Sequence, residues 1–148
     1  MAILGIGTDI VEVKRIEKLL AASREEFFSR VYAPSEVAYC LAKARPAIHL
    51  AARFAAKEAF MKALGTGWAR GVGFGQIVVA NDEDGRPGLE VTGKARELLD
   101  AMGPTWLWLS ISHTREFAMA TAVIESGVTR KRAATMRRSR NTRVTSER

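Results

Sequence analysis

Residues 47–64 carry alanine at positions 51, 52, 55, 56, 59 and 63 with no glycine or proline among them, which predicts one long helix whose thin side chains let neighbouring backbone approach closely. Gly65 ends it. A second small-residue segment lies at the amino end. A strand over residues 2–9 places Leu4, Ile6 and Thr8 on one face and Ile3, Gly5, Gly7 and Asp9 on the other, so the two glycines leave the second face nearly bare.

Asp9 and Glu12 form an Asp-x-x-Glu pattern that predicts a helix start, followed by an apolar stripe of Val13, Ile16, Leu19 and Leu20. A short helix follows Pro34 to about Ala44, with Val37, Cys40 and Leu41 for burial. Past Gly65-Thr66-Gly67, a strand is expected over residues 75–80, a hairpin through Asp84-Gly85, and a strand over residues 89–91. Thr92 then caps a helix with the stripe Ala95, Leu98, Leu99 and Met102, ended by Gly103-Pro104. Two last strands, residues 106–112 and 118–125, flank a turn at His113 to Glu116. Hairpin neighbours and clustered helices indicate an α+β fold with a mainly antiparallel sheet packed against helices, because parallel pairing needs crossovers that are scarce here.

The chain has 148 residues and a net charge of +7, a balance that invites a nucleic-acid reading. Its placement argues otherwise for the folded part. Residues 1–126 hold 15 basic and 15 acidic side chains, whereas residues 127–148 hold eight basic ones and a single Glu147. The division is therefore a domain over 1–126 and a basic segment over 127–148 too poor in large apolar residues to offset its ordering entropy, expected to be disordered. Nucleic-acid binding through that arginine-rich segment is the alternative reading of function. No apolar run is long enough to span a bilayer, and a soluble, cytoplasmic protein is expected. Cys40 is the only cysteine, which excludes an intramolecular disulfide, and with His49 it offers no zinc site.

Several residues could carry chemistry. Asp9, at the strand-to-helix junction on the bare face, is either an N-cap or a carboxylate open to a metal or phosphate. Glu58 and Lys62, four apart on the long helix with Arg53 and Phe54 a turn earlier, read either as a surface ion pair or as one wall of a cleft; the alanine stripe opposite favours the cleft. Two carboxylates from separate segments beside Lys and Arg suit magnesium, a hard ion that takes few protein ligands and completes its shell with substrate phosphate oxygens. Gly71, Gly73 and Gly75 precede a strand and no Walker run exists, so P-loop or Rossmann nucleotide binding is unsupported. Ser110, Ser112 and His113 could form a polar cluster at a strand end. Lys14, Arg15 and Lys18 form a small basic patch, and Trp106 and Trp108 alternate with leucines as in sheet packing.

Three segments carry a resemblance: Gly5-Ile6-Gly7-Thr8-Asp9-Ile10-Val11-Glu12, the run from Arg53 to Gly67 with Lys57-Glu58-Ala59-Phe60-Met61-Lys62-Ala63-Leu64-Gly65-Thr66-Gly67, and Leu109-Ser110-Ile111-Ser112-His113-Thr114. In this order they resemble the signature segments of the holo-(acyl-carrier-protein) synthase family of 4'-phosphopantetheinyl transferases. The resemblance implies that family's fold and the transfer of 4'-phosphopantetheine from coenzyme A to a serine of apo acyl carrier protein, leaving adenosine 3',5'-bisphosphate. It implies magnesium held by Asp9 and Glu58, Lys62 beside the pyrophosphate, and Arg53, Phe54 and His113 along the coenzyme A cleft. It also implies a homotrimer with that cleft between adjacent protomers, and a carrier-protein contact through Lys14, Arg15 and Lys18. Ala21, Ala22, Glu25 and Glu26 depart from the basic residues that often follow this patch, and the family pattern ends near residue 126. A metal-dependent phosphohydrolase is a further reading, distinguished by release of free phosphopantetheine.

Overall fold

A computed structural model describes residues 1–127 of the chain. The basic segment lies outside the described residues apart from Gly127. Strand β1 (Ile3–Glu12) leads into helix α1 (Val13–Ala21), then α2 (Glu25–Val31), α3 (Pro34–Leu41) and α4 (Pro46–Leu64). A 3-10 turn at Phe74–Gln76 precedes the hairpin of β2 (Ile77–Asn81) and β3 (Pro87–Val91), followed by α5 (Gly93–Asp100), β4 (Thr105–His113) and β5 (Phe117–Ser126). The three-stranded sheet has the order β1-β5-β4 and β2-β3 form a second, two-stranded sheet; every pairing is antiparallel. The α+β architecture is the one expected.

Helix α4 is the centre of the molecule and packs across β1 and β5. Proline at the first turn and left-handed Gly65 (φ 76°) bound it. Its buried Ala55, Ala59 and Ala63 and the buried Ala118, Ala120 and Ala122 of β5 keep the two layers close. On β1 the contact is tighter still. A Cβ on Gly7 would stand 2.0 Å from the Ala59 carbonyl oxygen, and one on Gly5 equally close to that of Ala63, so only glycine fits. The face that looks bare in the sequence is thus filled by helix backbone, and is not open to a ligand at these two residues.

Other boundaries also moved. Strand β1 runs on past Asp9, which pairs with Ala120 in mid-ladder, to Glu12 opposite Phe117. Helix α1 begins only at Val13, with no side-chain cap bond from Glu12. The ladder satisfies the backbone that a capping box would have served, so Asp9 is not a cap. Helix α2 was not expected; its Phe27 and Phe28 pack with Tyr32 and Phe54. Helix α3 stops at Leu41, short of Ala44. Cys40 is wholly buried, and burial pushes its thiol pKa up to about 11, as suits an inert core residue.

The sheet face away from α4 is apolar and uncovered. Leu4, Ile6 and Ile10 of β1, Met119 and Phe117 of β5, and Trp106 and Trp108 of β4 are all exposed there. Trp108 donates its indole N–H to Glu125 at 2.7 Å across the same face. Among the described residues no helix is long and apolar enough to cross a membrane.

Candidate active site

Asp9 leaves the α4-facing side of β1, where the helix C-terminal half passes. Its side chain is only 18% exposed, and Lys62 Nζ donates to Asp9 Oδ1 at 3.0 Å and to the Thr8 carbonyl at 2.9 Å. The helical spacing suggested a Glu58–Lys62 pair, but Lys62 is instead drawn back to β1. Glu58 is half-buried beside these groups. Burial raises the pKa of its carboxyl and the Asp9 charge raises it further, while Lys62, a hydrogen bond with Trp68 and the Arg15 guanidinium oppose the rise. Two carboxylates therefore face one another with one ammonium close by.

Arg15 and Trp68 complete this flank. The Arg15 guanidinium lies 5.8 Å from the centre of the buried Phe54 ring, and Phe54 packs on Phe74 with centroids 5.0 Å apart. Trp68 stands edge-on to Phe74 at 4.3 Å and is 62% exposed. The sequence reading passed over Trp68, whose signal was a large aromatic directly after the Gly65-Thr66-Gly67 turn. Arg15, read from sequence as part of a surface patch, reaches the site, whereas Lys14 and Lys18 project from α1 into solvent.

Arg53 and His113 lie elsewhere. Five residues are about 1.4 helical turns, so Arg53 and Glu58 leave α4 on different flanks and do not line one wall as the spacing suggested. Arg53 is buried, donates to Asn81 Oδ1 at 2.9 Å and sits 4.2 Å over the Tyr39 ring. It borders a cavity of about 180 Å3 with Ser35, Tyr39, Val79 and Ala80, and its Nε has no partner. His113, at the end of β4, meets His49 of α4 with ring centroids 5.8 Å apart. Burial lowers the His49 pKa, and the charges of His113, Lys43 and Arg53 lower it further. Ser110 and Ser112 point to the opposite side of β4, toward Thr121 and Met119, so the expected cluster with His113 does not form. The structure thus brings together Asp9, Glu58, Lys62, Arg15 and Phe54 at one edge strand of the sheet and Arg53, His49, His113 and Lys43 at the other.

The acidic flank suits a divalent cation. Among the described residues no set of three or more His, Cys, Asp or Glu could hold a metal, and Asp9 and Glu58 are the two carboxylates that lie close together on this flank. Facing carboxylates, a lysine and an arginine beside an open aromatic wall are groups suited to neutralising a phosphate-bearing substrate.

This fold and site define a class. Residues 5–122 match the family model of the 4'-phosphopantetheinyl transferase superfamily. The chain belongs to the holo-(acyl-carrier-protein) synthase family within it. It is 48% identical over 126 residues to the holo-(acyl-carrier-protein) synthase of Vibrio parahaemolyticus, covering 85% of this chain and 100% of that one. The fold is similar to the crystal structure of the Neisseria meningitidis enzyme (TM-score 0.76, 37% identity, 84% of this chain and 100% of that one). It is also similar to that of the Bacillus anthracis enzyme in complex with CoA (3',5'-ADP), with a TM-score of 0.69 and 39% identity over 84% of this chain and 98% of that one.

Proposed function

We infer that this protein transfers the 4'-phosphopantetheine group of coenzyme A to a serine hydroxyl of apo acyl carrier protein and releases adenosine 3',5'-bisphosphate. The observation that carries the reading is the juxtaposition of Asp9 and Glu58, from segments remote in sequence, with Lys62 bound between β1 and α4. The nucleophile belongs to the partner, so the protein has to hold the pyrophosphate in line and neutralise charge.

Asp9 and Glu58 are the residues to hold magnesium, which when bound supplies charge neutralisation of the pyrophosphate. The Asp9 charge, which helps raise the affinity of Glu58 for a proton, also favours a cation between the two carboxylates. Lys62, fixed by Asp9 and Thr8, presents its remaining donor capacity to the phosphate oxygens and stabilises the departing bisphosphate. Lys14, Arg15 and Lys18 on α1 face an acidic partner, and Arg15 links that surface to Phe54 and Glu58.

The same reading assigns Arg53 and His113, with His49 and Lys43, to the coenzyme A cleft of a neighbouring protomer. Their position on the sheet edge opposite Asp9, and the uncovered apolar face of β1, β5 and β4, support a homotrimer in which one protomer's acidic flank meets the next protomer's basic flank. The test is mass spectrometry of apo acyl carrier protein incubated with coenzyme A, magnesium and this protein. A mass gain of one phosphopantetheine on the carrier serine is expected; free phosphopantetheine with unmodified carrier would indicate a hydrolase instead.

A further inference from the structure

Small residues make up much of the contact between α4 and the sheet, with Val11 and Ile124 the bulkier buried side chains toward its ends. Gly5 and Gly7 of β1 and Ala118, Ala120 and Ala122 of β5 meet a helix surface of Ala55, Ala59 and Ala63. Small residues allow close approach but supply few ridges to oppose rolling of the helix about its axis, and the directional bonds on this side come from the long, half-exposed Lys62 side chain to Asp9 and Thr8. Roll matters here. An atom about 5–6 Å from a helix axis moves by about 2 Å when the helix turns by about 20°, and a displacement of about 1 Å in a catalytic array costs about 100-fold in rate.

The other flank of α4 holds fully buried directional contacts. Lys57, with no exposed surface, donates from Nζ to the Val31 carbonyl at the end of α2 and to Glu36 Oε2 at 2.7 Å. Glu36, equally buried, accepts the Ala33 N–H at 2.8 Å on the same oxygen and the Val79 N–H of β2 at 2.9 Å on Oε1. One ion pair therefore ties α4 to the end of α2, the start of α3 and the middle of β2. A turn earlier, Arg53 adds a second tie to β2 through Asn81. A buried ion pair gains little net stability, because desolvating both charges offsets their attraction; its better attested role is to select one arrangement over others.

We propose that Lys57 and Glu36 are positioning residues for the transfer reaction: their buried pair sets the roll of α4 and thereby aims the adjacent Glu58 carboxylate at Asp9. This rests on the reading of Asp9 and Glu58 as the cation-holding pair. Neither the Lys57 nor the Glu36 side chain has exposed surface with which to meet a substrate. Their effect passes through the backbone of α4 to the next residue.

The double variant Lys57→Met, Glu36→Gln removes both charges together, so that neither is left unpaired. Leu99→Val, in the core under α5, serves as a control for stability, each protein being assayed at the same interval below its own thermal midpoint. In the double variant kcat should fall about 100-fold. Binding of Mn2+ in the presence of adenosine 3',5'-bisphosphate, followed by electron paramagnetic resonance, should weaken at least tenfold by the same logic, while the KM for carrier protein stays within about twofold. Leu99→Val should keep kcat and Mn2+ binding within about twofold. A folded double variant with wild-type kcat and Mn2+ affinity overturns the proposal. Should the double variant not fold, Glu36→Asp decides, since it keeps the charges but withdraws the anchor by one methylene: a folded protein with reduced kcat and weaker Mn2+ binding supports the role, and unchanged values overturn it. Absence of carrier modification by the wild-type protein would instead defeat the proposed function itself.

Discussion

Lys62 and Asp9 are joined by a 3.0 Å ion pair across the contact between α4 and β1, although 53 positions separate them in the sequence. That bond directs Lys62 away from Glu58, its neighbour one helical turn earlier, and holds the ammonium between strand and helix. The Asp9 carboxylate is thereby fixed for a role that a freely rotating side chain would fill poorly.

Substitutions at these positions should act on chemistry more than on folding. Asp9→Asn and Glu58→Gln are expected to abolish magnesium-dependent turnover, a loss of at least about 1000-fold. Lys62→Met should lower kcat by about 100-fold. Steady-state kinetics beside thermal denaturation checks this: near-normal rates in Glu58→Gln would refute the assignment.

Gly7→Ala should destabilise the protein by about 1–3 kcal/mol or more, because its Cβ would meet the Ala59 carbonyl oxygen at 2.0 Å and push α4 off β1. The thermal midpoint and kcat should fall together, since Asp9 lies two residues along the displaced strand. Gly88→Ala is the control. A Cβ there meets only the Ala80 carbonyl at 3.8 Å, and the midpoint should be nearly unchanged.

If the proposed homotrimer forms through the uncovered sheet face, a charge placed there, as in Ile6→Asp or Met119→Asp, should give monomers in sedimentation velocity and remove activity with it. Complementation reads the same arrangement. Inactive Asp9→Asn and inactive His113→Ala, mixed and reassembled, should regain about one quarter of wild-type activity if each site joins the acidic flank of one protomer to the basic flank of another. No recovery would mean that each protomer works alone.

The burial of His49, with the His113, Lys43 and Arg53 charges beside it, makes stability depend on pH in a definite direction. The His49 pKa is lowered on folding from its ordinary 6.5, so the unfolded chain binds the proton more readily. Its contribution is fully present above about pH 6.5 and is lost as pH falls below that value through the folded-state pKa. His49→Gln should therefore flatten the decline of the thermal midpoint between about pH 7 and pH 5; an unchanged slope would place the pH dependence on other groups.

Local pattern made much of this molecule legible. The alanines after Pro46 and the stop at Gly65 mark α4 to within a residue, and the Asp84-Gly85 turn marks the β2-β3 hairpin. The resemblance named Asp9, Glu58 and Lys62, which the fold sets side by side. Helix α2 escaped because seven residues carry too little periodicity to stand out. The Asp9-x-x-Glu12 pattern misled because ladder bonds to β5 prevailed over a local capping preference.

What the sequence determined by itself was the kind of each major element and the chemistry available to it, since both depend on residues a few positions apart. Tertiary structure alone decided that Gly5 and Gly7 receive the backbone of α4, that Lys62 pairs with Asp9, and that Arg53 turns to Asn81 while Glu58 turns the other way. Those outcomes depend on the roll and closeness of α4 against elements distant in the chain. Side-chain spacing in one segment carries no record of either.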